Sequence, residues 1–440
     1  MDTGWYAIIA PFREILMKNG SSVKYTLLQL LKTLLIGLIA AVGLLAVVYA
    51  LPTEPMKNHA AESMALYEYE EERPEWAHGI VSSRLDNWTD SIMISEAVWN
   101  DPEDSLVEKV MLNPFFGVAY QETPVKALQA YLNGVDEIWV NKSAYPRYWH
   151  GYLVILKPLL MLFNIQEIRM INMMVQLTLA AVVMILIDKR LGWKWLLPFG
   201  ISYIVLNPVS LIMSFQYSDI YYITVIFLIV LLRKKEKPSM TWLCCYFMAV
   251  GMETCCFDFL TYPVVSMGMP LGLYILLYHD SAKETVLKMI LFSFLWCIGY
   301  AGFFVLKWAL AFFLTGENVL ADGAGEVALR FSGTIGSGHV ETTPWNAVKY
   351  NLANVATKPT YLMIAVFIVF YLVRLFVKHD GFVFSKDIVL PLLFLSLYAF
   401  IWYVTIRNHS IIHASMTYRN LAVTAFGLPA AMISCLKEGQ

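Results

Sequence analysis

Tyr145–Phe163, YPRYWHGYLVILKPLLMLF, decides how the rest of the chain is threaded. Its apolar run looks like a membrane crossing, but Lys157-Pro158 interrupts it. A proline inside a helix removes a backbone donor and clashes with the preceding turn, so it ends or kinks the helix. A short helix lying flat at the lipid–water boundary is expected instead. The choice sets the register of everything downstream. With this segment lying flat, the basic clusters at Lys189, Arg233, Lys283, Lys378 and Lys437 all fall on one face of the membrane, as positively charged inner loops require. Were it to cross, every later cluster would move to the other face.

Composition points the same way. Of 440 residues, 58% are hydrophobic and only 15% charged, well below the quarter or so usual in soluble domains. Trp, Tyr and Phe are abundant, as suits a chain with many lipid–water boundaries. The formal net charge is −2 and no basic domain is present, which excludes a nucleic-acid binder. The six cysteines lie in apolar runs without metal or redox spacing and read as packing residues.

The expected fold is an all-α polytopic membrane protein with about ten transmembrane helices. A basic, amphipathic arm over 1–33 lies on the cytoplasmic surface, and 34–51 is the first span. That run is longer than a signal-peptide core and follows a lengthy basic segment, so it reads as an uncleaved anchor. A large extracytoplasmic loop, 52–168, carries interfacial helices and an acidic first half. The multi-span domain, 169–440, includes a second outer loop over 315–359 rich in Gly, Asn and Thr. Both termini fall inside. No internal repeat of the kind built into many transporters is visible.

Four groups of polar residues collect at the outer side. Asp86 and Asp90, four apart in SSRLDNWTDSIMISEAVW (82–99), share a helix face. The same spacing also suits an N-cap followed by a first-turn acid. Arg147, His150 and Lys157, with Arg169 at a span start, form an electropositive rim or simply anchor an interfacial helix. Lys307, Arg407, His409, His413 and Arg419 include cations inside or beside spans, where charge is costly and faces a cavity, a partner or the boundary. Two histidines four apart are compatible with a metal but do not make a site alone. Asp219, Glu253 and Asp258 lie at outer helix ends. Asn87-Trp-Thr89 and Asn141-Lys-Ser143 match the short N-glycosylation pattern, which recurs by chance. No dinucleotide, P-loop or zinc-protease motif is present.

Leu85-Asp-Asn-Trp-Thr-Asp90, Tyr148-Trp-His-Gly151, Lys157-Pro-Leu-Leu-Met-Leu-Phe163 and Asn408-His-Ser410, in this layout, resemble the GT-C superfamily of integral-membrane glycosyltransferases. The Lys157-Pro158 stretch is similar to the KPPL segment of the branch using dolichyl- or polyprenyl-phosphate sugars, with Leu159 replacing the second proline. The resemblance implies an inverting transfer of a sugar from a polyprenyl-phosphate donor to a glycan, lipid or protein acceptor at the outer leaflet of a bacterial plasma membrane. It implies a carboxylate base, for which Asp86 and then Asp90 are the candidates. Lys157, Lys307, Arg407, Arg419, His409 and His413 are the candidates for the donor phosphate. Arg147, His150, Arg169, Asp219, Glu253 and Asp258 are those for the acceptor or a supporting role. No cofactor is expected, a divalent cation being the one alternative. A transporter or flippase of cell-envelope glycan precursors is the competing reading.

Overall fold

A computed structural model describes residues 14, 16–18, 20–118, 123–134, 140–336, 340–377 and 381–437. The first half of the expected arm and the Lys378 cluster lie outside them. The first span, α1 (Val23–Tyr49), starts eleven residues before the expected boundary at Leu34. Ser22 caps it, and no Gly or Pro interrupts the chain before Gly37, so Lys24 and Lys32 ride on the helix itself.

The segment that follows folds into short helices around one buried centre: α2 (Glu54–Glu62), α3 (Met64–Glu70), α4 (Asn87–Val98), α5 (Leu106–Leu112), α6 (Pro124–Leu132) and α7 (Leu153–Leu160), with an antiparallel pair β1 (Pro114–Val118) and β2 (Val140–Ala144). At eight residues, α7 is about 12 Å long, far short of a crossing; Pro158 does not break it but lies inside it, and the helix ends at its C-cap Met161. Its Leu153, Leu156, Lys157 and Leu160 form one inward stripe. It packs against α1, α2 and α4, and α4 is buried along nearly its whole length.

Next come α8 (Ile165–Leu191), α9 (Leu196–Val205), α10 (Pro208–Met213), α11 (Phe215–Leu232), α12 (Met240–Phe257), α13 (Val264–Tyr278) and α14 (Ala282–Thr315). After them, α15 (Val319–Phe331), the two-residue strands β3 (Thr334–Ile335) and β4 (Val340–Glu341), and α16 (Pro344–Val355) occupy the expected second loop. The chain closes with α17 (Lys358–Phe376), β5 (Gly381–Phe382), α18 (Lys386–Leu395), α19 (Tyr398–Thr405), α20 (Arg407–Ile412), α21 (Ala414–Thr417), α22 (Leu421–Ser434) and β6 (Leu436–Lys437).

Among the described residues, seven helices are long and apolar enough to cross a membrane: α1, α8, α11, α12, α14, α17 and the Lys386–Thr405 pair α18–α19. Three of the expected crossings are shorter or broken. Asn207, at φ 60°, and Pro208 divide Trp195–Met213 into α9 and α10. Val264–Tyr278 has 15 residues, and Leu421–Ser434 has 14.

The bundle is held by close approach at small residues. A side-chain carbon on Gly251 of α12 would stand 2.1 Å from the Trp296 carbonyl oxygen of α14, and one on Gly299 would stand 2.2 Å from that of Met248. Only glycine lets these backbones meet, the usual device for helices that association in lipid must pack without a hydrophobic drive. Elsewhere α17 stands apart, with Phe367 its one buried residue.

The basic clusters share one end of the bundle. Lys18 pairs with Glu284 at 2.7 Å, and Lys237 and Lys288 with Asp280 at 2.9 and 2.7 Å. Arg190 donates to the Lys235 carbonyl at 3.4 Å, and β5 pairs with β6. The α2–α7 segment, α15 and α16 sit at the opposite, loop end.

Candidate functional site

Asp86 N-caps α4. Its Oδ1 accepts from the Thr89 N–H at 3.3 Å and its Oδ2 from the Thr89 hydroxyl at 2.8 Å. Gln216, on the first turn of α11, donates its side-chain amide to the same Oδ2. The Asp86 N–H donates to Ser214 Oγ at 3.1 Å. Burial pushes the Asp86 carboxyl above its ordinary range, against the opposing hydrogen bonds from Thr89 and Gln216 and the nearby charge of Arg73. Asp90, one turn on, is committed elsewhere: its two oxygens accept the Phe215 and Gln216 N–H groups at 3.0 and 3.2 Å. It thus caps α11, whose own N-cap Ser214 supplies no side-chain bond. Burial raises Asp90 to about 7. The loop helix and the span are therefore stitched by carboxylates given at four-residue spacing, one facing its own helix and one the next.

The facing wall is the Arg407–Asn420 segment. Arg419 is fully buried, its guanidinium stacked 4.0 Å from the Tyr217 ring and 4.8 Å from Tyr418. It donates to the Leu206 carbonyl at 3.0 Å and to that of Ser415 at 3.1 Å, and Nη2 has no partner among the described residues. Tyr217 adjoins Gln216, so Asp86 and Arg419 flank the same short stretch of α11. Gln216 also lies against the Met416 sulfur at 3.9 Å.

His409 Nε2 lies 2.7 Å from the Leu260 carbonyl. A carbonyl only accepts, so Nε2 carries the proton and Nδ1 is a bare, buried acceptor, without a partner among the described residues. The His413 ring lies against it, tilted by 41°, with the ring centres 4.5 Å apart. Burial drives His409 well below its usual range, with His413 and Arg330 adding to the effect. His413 falls to about 4, by burial first and then Arg330 and Arg73. Both imidazoles are neutral near pH 7 and offer hydrogen bonds, not charge. Arg73, exposed and stacked 5.3 Å from Trp88, is thus near enough to bias both Asp86 and His413. Arg407 donates to the Thr342 carbonyl at 2.8 Å and packs on Gly333, holding the β3–β4 turn to α20. Six buried polar atoms between Arg407 and Asn420 lack a partner among the described residues: Arg407 Nε, Asn408 Oδ1, His409 Nδ1, Ser410 Oγ, Arg419 Nη2 and Asn420 Nδ2. Such a concentration is what a wetted or ligand-holding wall carries.

A cavity of about 860 Å³ opens beside this wall, between α14, α18–α19 and α15. Along α14 it is lined from Ile290 through Cys297 and Ala301 to Trp308, 19 residues or about 27 Å of helix, close to the hydrocarbon thickness of a bilayer. Its walls are almost wholly apolar. Polar groups gather at the loop end, where Arg147, Tyr148, Glu326 and Arg330 form the mouth. Leu260 lines the cavity and gives its carbonyl to His409, so a single turn separates the groove from the polar wall. That turn is strained: Leu260 has φ 65°, which disfavours a branched side chain, and Asp258 holds it by accepting from the Thr261 N–H at 3.0 and 3.1 Å and from its hydroxyl. Burial raises Asp258 to about 7.

Other expected site residues have local partners. Lys157, fully buried and lowered by burial to about 7, donates to the Ala97 carbonyl at 2.6 Å near the end of α4. Lys307, also fully buried, donates to the Val110 carbonyl at 2.7 Å and Asn113 Oδ1 at 2.8 Å at the end of α5. Both lie where cations favour helix C-termini, and neither lines the groove or its mouth, where a donor phosphate was expected to meet them. His150, at φ 57°, places Nδ1 2.9 Å from Glu96 and Nε2 2.7 Å from the Tyr145 carbonyl, and Tyr152 donates to the same Glu96 oxygen. This buried cluster fixes the turn that presents Arg147 and Tyr148. Arg169 pairs with Glu70 at 2.8 Å and donates to Asn87 at 3.0 Å, tying α8 to the loop. Asn87 is itself fully buried, which closes it to glycosylation in the fold. Asp219 is buried on α11 and Glu253 partly buried on α12. Arg73, Gln216, Glu326 and Arg330 also belong to this region, and none of them sits in a sequence motif that would mark it. Among the described residues no group of three or more His, Cys, Asp or Glu is placed to hold a metal ion.

No protein-family model, curated protein or solved structure matches this chain.

Proposed function

We propose that the chain is an integral-membrane glycosyltransferase of the GT-C kind, moving a sugar from a polyprenyl-phosphate donor to an acceptor hydroxyl at the outer leaflet of a bacterial plasma membrane. One observation carries the reading: a bilayer-deep apolar groove ends at two arginines, one turn away from a polar wall that meets Asp86 through Gln216, which donates to Asp86 and lies 3.9 Å from the Met416 sulfur. An isoprenoid tail matches the groove, and its phosphate matches Arg147 and Arg330. The gathering of basic groups at the opposite end supports a cytoplasmic location for that end, with both termini there and about ten crossings in all. The acceptor oxygen attacks the anomeric carbon as its proton passes to Asp86. The bond from that carbon to the phosphate oxygen breaks, and polyprenyl phosphate leaves with its charge held by the arginines, inverting the anomeric centre. Asp86 suits the base because its Oδ2 is held only by the Thr89 hydroxyl and the Gln216 amide, side chains that can turn aside for an acceptor, whereas both Asp90 oxygens hold backbone N–H groups of α11.

The groove's depth also favours a second reading, a flippase that carries the lipid-linked sugar across. The deciding experiment uses purified protein in nanodiscs with a panel of polyprenyl-phosphate hexoses and pentoses. Release of polyprenyl phosphate from at least one donor, lost in Asp86→Asn, is expected. No release from any donor, together with donor translocation in proteoliposomes, would overturn the transferase in favour of the flippase.

A further inference from the structure

The two arginines at the groove mouth are already bridged. Glu326 places one carboxylate oxygen 2.9 Å from Arg147 and the other 3.2 Å from Arg330. Arg147 also meets Asp322 at 3.2 Å. An anion spanning two guanidiniums, one oxygen to each, is the arrangement a monoester phosphate would adopt there. The bridge is built on fixed parts. The Arg147 carbonyl accepts from Trp308 at 2.8 Å, and a side-chain carbon on Gly323 would stand 2.6 Å from the Trp308 ring, so α15 is seated hard on α14. Glu326 and Arg330 are one helical turn apart on α15, and all three side chains of the bridge line the groove.

We infer that Glu326 is a resident anion that holds the phosphate subsite in the absence of lipid and competes with the lipid phosphate for Arg147 and Arg330. An incoming phosphate must displace the carboxylate or share the guanidiniums with it. Glu326 therefore weakens the hold on any lipid monophosphate, and most of all on the reaction product, whose charge is fully developed. It acts as a specificity and release residue, leaving the base and the anomeric centre untouched. The inference rests on the reading of the groove as a polyprenyl-phosphate site.

Farnesyl phosphate and farnesol, binding to the full chain in phosphatidylcholine nanodiscs, make the test. The wild-type protein should prefer the phosphate to the alcohol. Glu326→Gln should bind the phosphate roughly 3- to 10-fold more tightly, as loss of one part-exposed competing charge allows, with farnesol unchanged. Glu326→Ala should reproduce the gain, Glu326→Asp should not, and the Glu326→Gln/Arg330→Gln double variant should lose it. Should Gln and Ala at 326 leave phosphate affinity unchanged or weaker while the wild type still prefers the phosphate, the inference falls and the site reading stands. A wild type that does not distinguish the phosphate from the alcohol overturns both.

Discussion

Asp86 and Asp90 are chemically identical and four residues apart, yet the structure predicts opposite consequences for the same substitution. In Asp86→Asn the cap survives. Asparagine caps helices about as well as aspartate, its carbonyl can still accept from Thr89, and Gln216 need only turn its amide over to face the new NH₂. Stability should change by less than about 1 kcal/mol. What is lost is the proposed proton acceptor, which as a general base would be worth roughly 10²–10⁴ in rate, or about 2.7–5.4 kcal/mol of barrier. Asp90→Asn reverses the pattern. Two backbone N–H groups, of Phe215 and Gln216, each use a separate oxygen of Asp90. Asparagine keeps one acceptor and turns a donor toward the other N–H. One buried donor at the start of α11 is left unmet, at about 1–3 kcal/mol. Thermal unfolding of the purified variants, paired with turnover at saturating donor, separates the two. The reasoning fails if Asp86→Asn keeps more than a tenth of wild-type turnover, or if Asp90→Asn loses turnover hundreds-fold with an unmoved unfolding midpoint.

Three further outcomes follow from the same geometry. As the proposed base Asp86 would act in its deprotonated form, and burial raises its pKa, so kcat/KM should fall as pH drops, with a midpoint above the usual carboxylate value of about 4; Arg73→Gln removes a charge that lowers that pKa and should move the midpoint higher, and an unmoved limb would detach Arg73 from Asp86. Ala301→Phe narrows the groove and should raise KM for a long-chain donor while sparing one with a short isoprenoid; equal effects on both would place the tail elsewhere. Lys307→Met removes two hydrogen bonds at the end of α5 and strands Asn113 Oδ1, so it should lower stability by about 1–3 kcal/mol with donor KM unchanged; a selective rise in KM would return Lys307 to the phosphate site.

That Leu153–Leu160 is too short to span was partly legible, since Lys157 and Pro158 within it mark a poor crossing, and the basic residues Arg190, Lys237 and Lys288 do gather at one end of the bundle. Helix lengths were less legible. Hydropathy sees where apolar residues stop, but α1 continues back to Val23 because a lysine on a lipid-facing helix can reach the boundary without breaking it. Trp195–Met213 looks continuous in hydropathy, and only Asn207-Pro208 betrays the break between α9 and α10.

Lys157 and Lys307 show what an apolar run leaves open. An ionisable residue in an apolar run suggests a cavity, but its helical phase says which way it points. Lys157 falls on the stripe of Leu153, Leu156 and Leu160, and Lys307 on that of Tyr300, Phe303, Phe304 and Ala311. Both stripes face protein, so each ammonium had to find its acceptors among the helix ends packed there, and did so at the Ala97 and Val110 carbonyls. Arg147 is the opposite case. It belongs to a turn, not to a periodic element, so no phase could aim it, and its direction is set by the Glu96–His150–Tyr152 cluster below and Trp308 beside it. Arg330 is further removed, separated from Arg147 by 183 positions and joined to it through Glu326. A cation whose partner is a residue on the same loop helix looks in sequence like an ordinary surface pair. The distinction between a solvated pair and an anion site lies in what surrounds it, and here that is an apolar groove as deep as a bilayer.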